Sequence, residues 1–214
     1  MKIVAAKKLL KANDQLAEEN RAKLLAAGVL TVNVVGSPGA GKTTFLEALL
    51  GELRSEMAPG VIEGDIAGSI DAERIEALGI PVVQINTEGA CHLDAAMIGA
   101  ALHGLDLAAI RLLAIENIGN LVCTAGFDLG ESLRLVVLSV TEGDDKVVKY
   151  PAIFQGSDAV VVTKADLAPH TNFKLDRVTA DVHRLAPDAP IFQVAALSGD
   201  GIQAVADWIR GKRG

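Results

Sequence analysis

Gly36-Ser37-Pro38-Gly39-Ala40-Gly41-Lys42-Thr43-Thr44 decides the fold. The apolar run Leu30, Val32, Val34, Val35 precedes it, and Phe45, Leu46, Leu49, Leu50 and Leu53 follow at helical spacing. Strand, glycine-rich loop and helix therefore come in order, and the loop meets G-x-x-x-x-G-K-[ST] at every fixed position. Gly36, Gly39 and Gly41 are expected to permit positive φ, letting backbone N–H groups crowd round a polyphosphate. The helix that starts at the loop points its positive end at the same anion. Lys42 supplies a point charge for the β- and γ-phosphates, and the Thr43 hydroxyl a ligand for Mg²⁺. A glycine-rich turn that only caps a helix is the rival reading. The strand before it and the helix after it argue for a nucleotide instead.

The remaining composition suits such a protein. At 214 residues and 50% hydrophobic content the chain can bury a full core. The apolar share is Ala, Val, Ile and Leu, with only 3% aromatic, as expected of parallel strands covered by helices on both faces. A net charge of −7, from 20 basic and 27 acidic residues, excludes nucleic acid as the expected partner. Met1 to Lys8 hold no apolar core of signal-peptide length, and no stretch approaches the roughly 20 apolar residues of a membrane span. Two cysteines without a secretion signal indicate a reducing compartment, so a cytoplasmic protein with no membrane partner is expected.

Taken in order, Lys2 to Ala27 reads as a helix that Gly28 stops. Pro59-Gly60 reads as a turn into a short strand around Val61-Ile62. Asp65 to Asp71 reads as a loop before a helix from Ala72 to Leu78. Pro81 to Ile85 is the next strand, and a helix is expected from His92 to His103. Further strands fall at Leu112 to Ile115, Leu133 to Val140, Ala159 to Val162 and Ile191 to Ala195. A last helix carries Ile202, Val205, Trp208 and Ile209. The alternation predicts an α/β fold, a doubly wound, mostly parallel sheet of about seven strands, as one P-loop NTPase domain over residues 1–214.

Thr163-Lys164-Ala165-Asp166 follows the strand Ala159 to Val162 and resembles the guanine-reading N-K-x-D motif of GTPases. The Asp166 carboxylate would accept from guanine N1–H and its 2-amino group, donors that adenine lacks, at roughly 1.5–3 kcal/mol for each charge-assisted bond. The Lys164 stem would pack along the base. Thr163 in place of Asn is expected to lose an amide that braces the phosphate loop. Ala196-Leu197-Ser198-Gly199 looks like the remaining base-contact loop, with backbone N–H groups, Leu197 and Ser198 among them, meeting guanine O6.

Glu116-Asn117-Ile118-Gly119 follows another strand. An acid there holds Mg²⁺ through water, and the Gly119 N–H meets the terminal phosphate. Asp65 is the second carboxylate placed to reach Mg²⁺ or the attacking water. Lys42, Asp65 and Glu116 are accordingly the candidate catalytic groups, and Thr43, Asp65 and Glu116 the candidate Mg²⁺ ligands.

Cys91-His92 and Cys123 also emerge beyond strand ends. Cys91 is expected at a helix start, which lowers a thiol pKa. Two thiolates and an imidazole suit Zn²⁺ or Ni²⁺, although free cysteines are commonly buried small hydrophobes.

Gly89 to Ala95, Glu116 to Cys123, and Thr141-Glu142-Gly143-Asp144-Asp145-Lys146 through Lys149-Tyr150-Pro151 closely resemble the hydrogenase nickel-incorporation GTPases, the HypB family. Glu63-Gly64-Asp65-Ile66-Ala67 with Asp71-Ala72-Glu73-Arg74 resembles that family's first switch, and the likeness runs from Leu30 to Trp208. It implies a SIMIBI-class GTPase that binds GTP or GDP, dimerises with GTP or metal, and helps load nickel into the [NiFe]-hydrogenase large subunit, with the accessory protein HypA as partner. In the family the equivalents of Cys91, His92 and Cys123 bind nickel or zinc at the dimer interface. Residues 1 to 30 carry neither the cysteine motif nor the histidine-rich tract of some members, so no such store is expected within them. Thr124 stands where Pro is frequent, which is expected to loosen its loop. Lys146 and Lys149 read equally as contacts to a neighbouring subunit's nucleotide or as a solvated face. Two rivals stand beside this reading. One is the urease nickel-delivery GTPase, which typically places Pro between its Cys and His. The other is a regulatory GTPase switch whose thiols are structural.

Overall fold

Val, Ile and Leu fill these strands without polar alternation because both sheet faces are covered. The computed structural model describes residues 4–66 and 68–213. The expected helix start at Lys2 and Ile3 lies outside them. Strands β1 (Leu30–Gly36), β2 (Pro59–Asp65), β3 (Val82–Asn86), β4 (Leu112–Glu116), β5 (Leu133–Ser139), β6 (Ala159–Thr163) and β7 (Ile191–Val194) form one sheet ordered β3-β2-β4-β1-β5-β6-β7. All neighbouring pairs are parallel. The helices are α1 (Val4–Ala26), α2 (Lys42–Met57), α3 (Ile70–Glu76), α4 (Ala95–Ala101), α5 (Lys146–Lys149), α6 (Pro151–Gln155), α7 (Leu175–Leu185) and α8 (Ile202–Arg210).

The pleat sorts side chains between two layers. Val32, Val34, Leu135 and Val137 face Phe45, Leu49 and Leu53 of α2 and Val205 and Ile209 of α8. On the other face, Ile62, Leu113 and Ile115 meet Leu24 of α1 and Ile98 of α4. Val35, Val136 and Val160 meet Phe154 of α6 and Val178 and Val182 of α7. Each fully buried Leu or Phe contributes roughly 1.5–3 kcal/mol, so the double cover is the main anchor of β1. That strand sits between β4 and β5, and its carboxyl end is the switch point where α/β sheets bind ligands.

Three element starts differ from expectation by two residues or more. Pro59-Gly60 is not a turn but the start of β2, where a proline's missing N–H costs no ladder bond. The third helix begins at Ile70, ahead of Ala72. The fourth begins only at Ala95, because the Asp94 side chain caps it by accepting from Met97 N–H at 2.8 Å. Trp208 sits at the core edge against Phe192, ring centroids 6.0 Å apart. No helix among the described residues is long and apolar enough to cross a membrane.

Candidate functional site

The loop between β1 and α2 bounds a cleft of about 350 Å³ lined by Pro38, Gly39, Gly41, Lys42 and Thr43 on one side and Glu63, Asp65, Asp71, Glu116 and Gly119 on the other. Gly39 and Gly41 take φ of 74° and 87°, which side chains rarely adopt. Gly36 does not: it is extended, and its role is steric, since a Cβ there would lie 2.5 Å from Val137 O. Lys42 is buried, its Nζ 3.4 Å from Ser37 O, and burial lowers its pKa against the pull of the nearby Glu116 and Asp71. The Thr43 hydroxyl donates to Glu116 Oε1 at 2.7 Å.

Glu63 is the residue that sequence reasoning assigned no role. It pairs in register with Glu116 across β2 and β4, so both carboxylates project to the same side. They are 2% and 4% exposed, and each keeps one buried oxygen, Oε2, without a hydrogen-bond partner. Burial, aided by Glu116, raises Glu63 to about 8, and burial raises Glu116 to about 7. A hydroxyl, two poorly compensated carboxylates and Asp71 nearby form the all-oxygen set a hard divalent cation takes. The pairing could have been found from the sequence only with the strand register in hand. Asp65 lines the cleft too, but its carboxylate accepts from the N–H of Ile66 at 2.6 Å and of Gly68 at 3.0 Å, closing its own turn.

Gly41 is shared with a second cleft of about 270 Å³ lined by Thr44, Thr163, Lys164, Asp166, Ala196 and Leu197. A nucleotide laid across Gly41 would therefore put phosphates on one side and base on the other. The expected weakness at Thr163 does not arise. Its hydroxyl donates to Ala40 O at 2.5 Å, and Lys164 Nζ donates to Gly39 O at 2.8 Å, so two adjacent side chains brace the phosphate loop. Ser198 is not on this cleft. Its N–H and that of Gly199 both donate to Ala195 O in a tight turn, at 3.1 and 3.0 Å, which leaves Ala196 and the 94% exposed Leu197 facing the base position.

Cys91, His92 and Cys123 come together, their donor atoms all within 4.8 Å of one another. The Sγ atoms of the free Cys91 and Cys123 lie 2.7 Å apart, and His92 Nδ1 is 3.7 Å from Cys91 Sγ. The neighbouring Cys91 thiol raises the pKa of Cys123. The helix-terminus argument for Cys91 fails, because α4 starts four residues later, at Ala95, behind its Asp94 cap. His92 stacks on Phe127 with centroids 3.9 Å apart. Two soft sulfurs and an imidazole converge, with no carboxylate in the group among the described residues, which fits Zn²⁺ or Ni²⁺. Thr124 tightens its loop rather than loosening it: buried, it donates through Oγ1 to Asn120 O at 2.5 Å.

One short segment joins these clefts. A Cβ on Gly119 would lie 2.8 Å from Pro38 Cα, so backbone meets backbone there. Asn120 N–H donates to Gly36 O at 3.0 Å, and Asn120 Oδ1 accepts from Cys123 N–H at 2.9 Å. Lys146 lines a groove beside Pro38 and Gly119 with its Nζ 5.5 Å from the Tyr150 ring centroid, while Lys149 pairs with Asp145 at 2.5 Å.

Residues 30–193 match the family model for the CobW/HypB/UreG nucleotide-binding domain. The hydrogenase maturation factor HypB of Azotobacter vinelandii is 46% identical over 206 residues, spanning 96% of this chain and 68% of that protein. The probable hydrogenase maturation factor HypB of Methanocaldococcus jannaschii is 42% identical over 204 residues, spanning 95% and 92%. The crystal structure of HypB from Helicobacter pylori in complex with nickel is similar at a TM-score of 0.90 and 39% identity, covering 94% of this chain and 95% of that one.

Proposed function

The chain belongs to the CobW/HypB/UreG nucleotide-binding family and, within it, to the HypB hydrogenase maturation factors, and from that premise we propose that it is a GTP-hydrolysing chaperone that assists nickel insertion into [NiFe]-hydrogenase. The observation that carries this reading is the segment from Glu116 to Cys123, which touches the phosphate loop at Pro38 and Gly36 and ends on a thiol of the Cys91, His92, Cys123 cluster.

In this reading residues 1–214 act as one GTPase domain in the cytoplasm. The phosphate loop, residues 36–44, holds GTP or GDP with Lys42 against the β- and γ-phosphates, and Asp166 selects guanine. Mg²⁺ would be held by Thr43 and Glu116, and by Asp65 once its carboxylate leaves the N–H groups of Ile66 and Gly68; when bound it neutralises phosphate charge. Asp65 or Glu116 orients the attacking water. Arg74, beside Thr44, is tied bidentately to Glu47 at 2.9 and 2.5 Å, so intrinsic hydrolysis is slow.

Nickel, or zinc at rest, is cargo for Cys91, His92 and Cys123. Three ligands are one short of a tetrahedral set, and a second copy completes it in a homodimer. HypA and the hydrogenase large subunit are the partners. Loss of γ-phosphate moves Gly119 and with it Cys123, so hydrolysis serves as a release signal. Adjacent Cys91-His92 favours this over urease delivery.

Metal stoichiometry and oligomeric state, measured side by side in GDP and in a GTP analogue, test the reading. Metal uptake that changes with nucleotide supports a chaperone. Equal uptake in both states favours a regulatory switch with structural thiols.

A further inference from the structure

Cys91 and Cys123 lie 32 residues apart in the chain, on two different loops, and a buried polar chain ties those loops together. Asn117 Oδ1 accepts from Leu93 N–H at 3.3 Å and from Ile118 N–H at 3.0 Å. Its Nδ2 donates to Asn33 Oδ1 at 3.3 Å, and Asn33 Nδ2 donates to Glu131 Oε1 at 3.0 Å. That carboxylate oxygen also takes the Arg134 guanidinium at 2.6 and 2.9 Å. The same guanidinium donates to Phe127 O at 2.9 Å and Ala125 O at 3.4 Å.

The path therefore begins at the residue after His92. It ends on the turn just past Cys123 and on the residue whose ring stacks against His92. It also starts beside Glu116, at the strand end that faces the phosphate cleft. Asn33 and Asn117 are wholly buried, and the Arg134 side chain is 13% exposed. Apolar residues of similar volume would stabilise such a site as well or better. What an apolar substitute cannot do is grip two backbone carbonyls and a carboxylate at fixed angles. A guanidinium fork does so; an ammonium does not.

We infer that Arg134, acting through Glu131, Asn33 and Asn117, is a positioning residue for the Cys91, His92 and Cys123 metal ligands, so that metal affinity depends on a side chain that touches no ligand atom. The inference rests on the reading of those three side chains as a metal site. Partners bonded directly to ligands typically control about 10–100-fold in metal affinity, and a brace one residue removed should reach the lower end of that range.

Co²⁺ titration of the full chain, followed by the thiolate-to-metal absorption band and the visible d–d bands, tests it. Arg134→Lys keeps the charge opposite Glu131 but cannot span the carbonyls of Ala125 and Phe127. We expect Co²⁺ affinity to fall by about tenfold or more and the d–d bands to shift, with GDP affinity within about twofold of wild type because Arg134 is remote from the loop contacts. A merely structural role would lower the melting temperature while leaving the spectrum of the folded protein unchanged. Should Arg134→Lys not fold, the pair Glu131→Gln with Arg134→Gln, which leaves no buried charge unpaired, carries the same expectation. Wild-type Co²⁺ affinity and spectrum in whichever variant folds overturns the positioning role. A wild-type protein that shows no thiolate band overturns the metal reading, and the positioning role with it.

Discussion

The Thr163 hydroxyl does for the phosphate loop what an amide was expected to do, because the carbonyl it must reach, Ala40 O, lies 2.5 Å away across the β6 end. Asp166 stands three residues on and lines the second cleft. On the proposed reading Asp166 accepts from two guanine donors, and Asp166→Asn replaces it with an amide that can donate, so affinity should move from GTP toward xanthosine triphosphate. Competition binding checks this, and wild-type protein that holds ATP as tightly as GTP would refute guanine selection. Glu63 gives a pH dependence. Its pKa lies near 8 and that of Glu116 near 7, both above the ordinary 4.5, mainly through burial. Without Mg²⁺, the folded protein keeps protons between those limits that the unfolded chain has released, so its stability falls as pH rises. Melting temperature of the nucleotide-free protein should therefore drop from about pH 5 to about pH 8, and Glu63→Gln should flatten the decline. An unchanged slope in Glu63→Gln would show that this carboxyl is not the source.

At the scale of elements, the sheet's parallel register sets Glu63 beside Glu116, and the turn after β4 sets Gly119 against Pro38. An added methyl at Gly119 cannot be accommodated by a side-chain shift, since it meets backbone at 2.8 Å. Gly119→Ala should push the turn off the loop and, on the proposed reading, remove an N–H from the terminal phosphate. One charge-assisted bond of roughly 1.5–3 kcal/mol is about ten- to hundredfold in affinity, and GDP, without that phosphate, should lose less. Displacement of a fluorescent nucleotide by GDP and by a GTP analogue measures the difference; equal losses would place Gly119 outside terminal-phosphate sensing. On the far face, α1 holds the start of α4 at both groups of one residue. Ala95 N–H donates to Asn13 Oδ1 at 2.9 Å, and Asn20 Nδ2 donates to Ala95 O at 2.8 Å. Asn20→Ala removes two buried hydrogen bonds, to Ala95 O and to Leu129 O at 3.2 Å, at a cost of about 1–3 kcal/mol. Denaturant unfolding should register it, and unchanged stability would mean that α1 only covers the sheet.

For the whole molecule the question is whether the two sites speak to each other. If GTP changes metal affinity by some factor, metal must change GTP affinity by the same factor. On the proposed function, the Gly119–Asn120–Cys123 contacts make Cys123 the ligand expected to carry that coupling. Titrating Ni²⁺ or Zn²⁺ into wild type and Cys123→Ser, with GDP or a non-hydrolysable GTP analogue, should show coupling in the first and its loss in the second. Coupling that survives in Cys123→Ser would assign it to another path, such as the Asn117 chain to Leu93.

The sequence by itself determined the order of strands and helices and the phosphate loop, and offered Cys91, His92 and Cys123 as candidate ligands, because each is a local pattern: a hydrophobic period, a glycine spacing, a residue type at a strand end. Val34 and Val35 announce a strand whatever lies beside it. The Glu63–Glu116 pairing, the bond from Thr163 to Ala40 and the Asn117–Asn33–Glu131–Arg134 chain join residues that are remote in sequence, 98 positions apart between Asn33 and Glu131. Asn33 alone reads as a polar interruption in a buried strand. Only the tertiary structure decided its meaning, since a polar group inside a core is determined by what it bonds to, and those partners arrive through strand order and register.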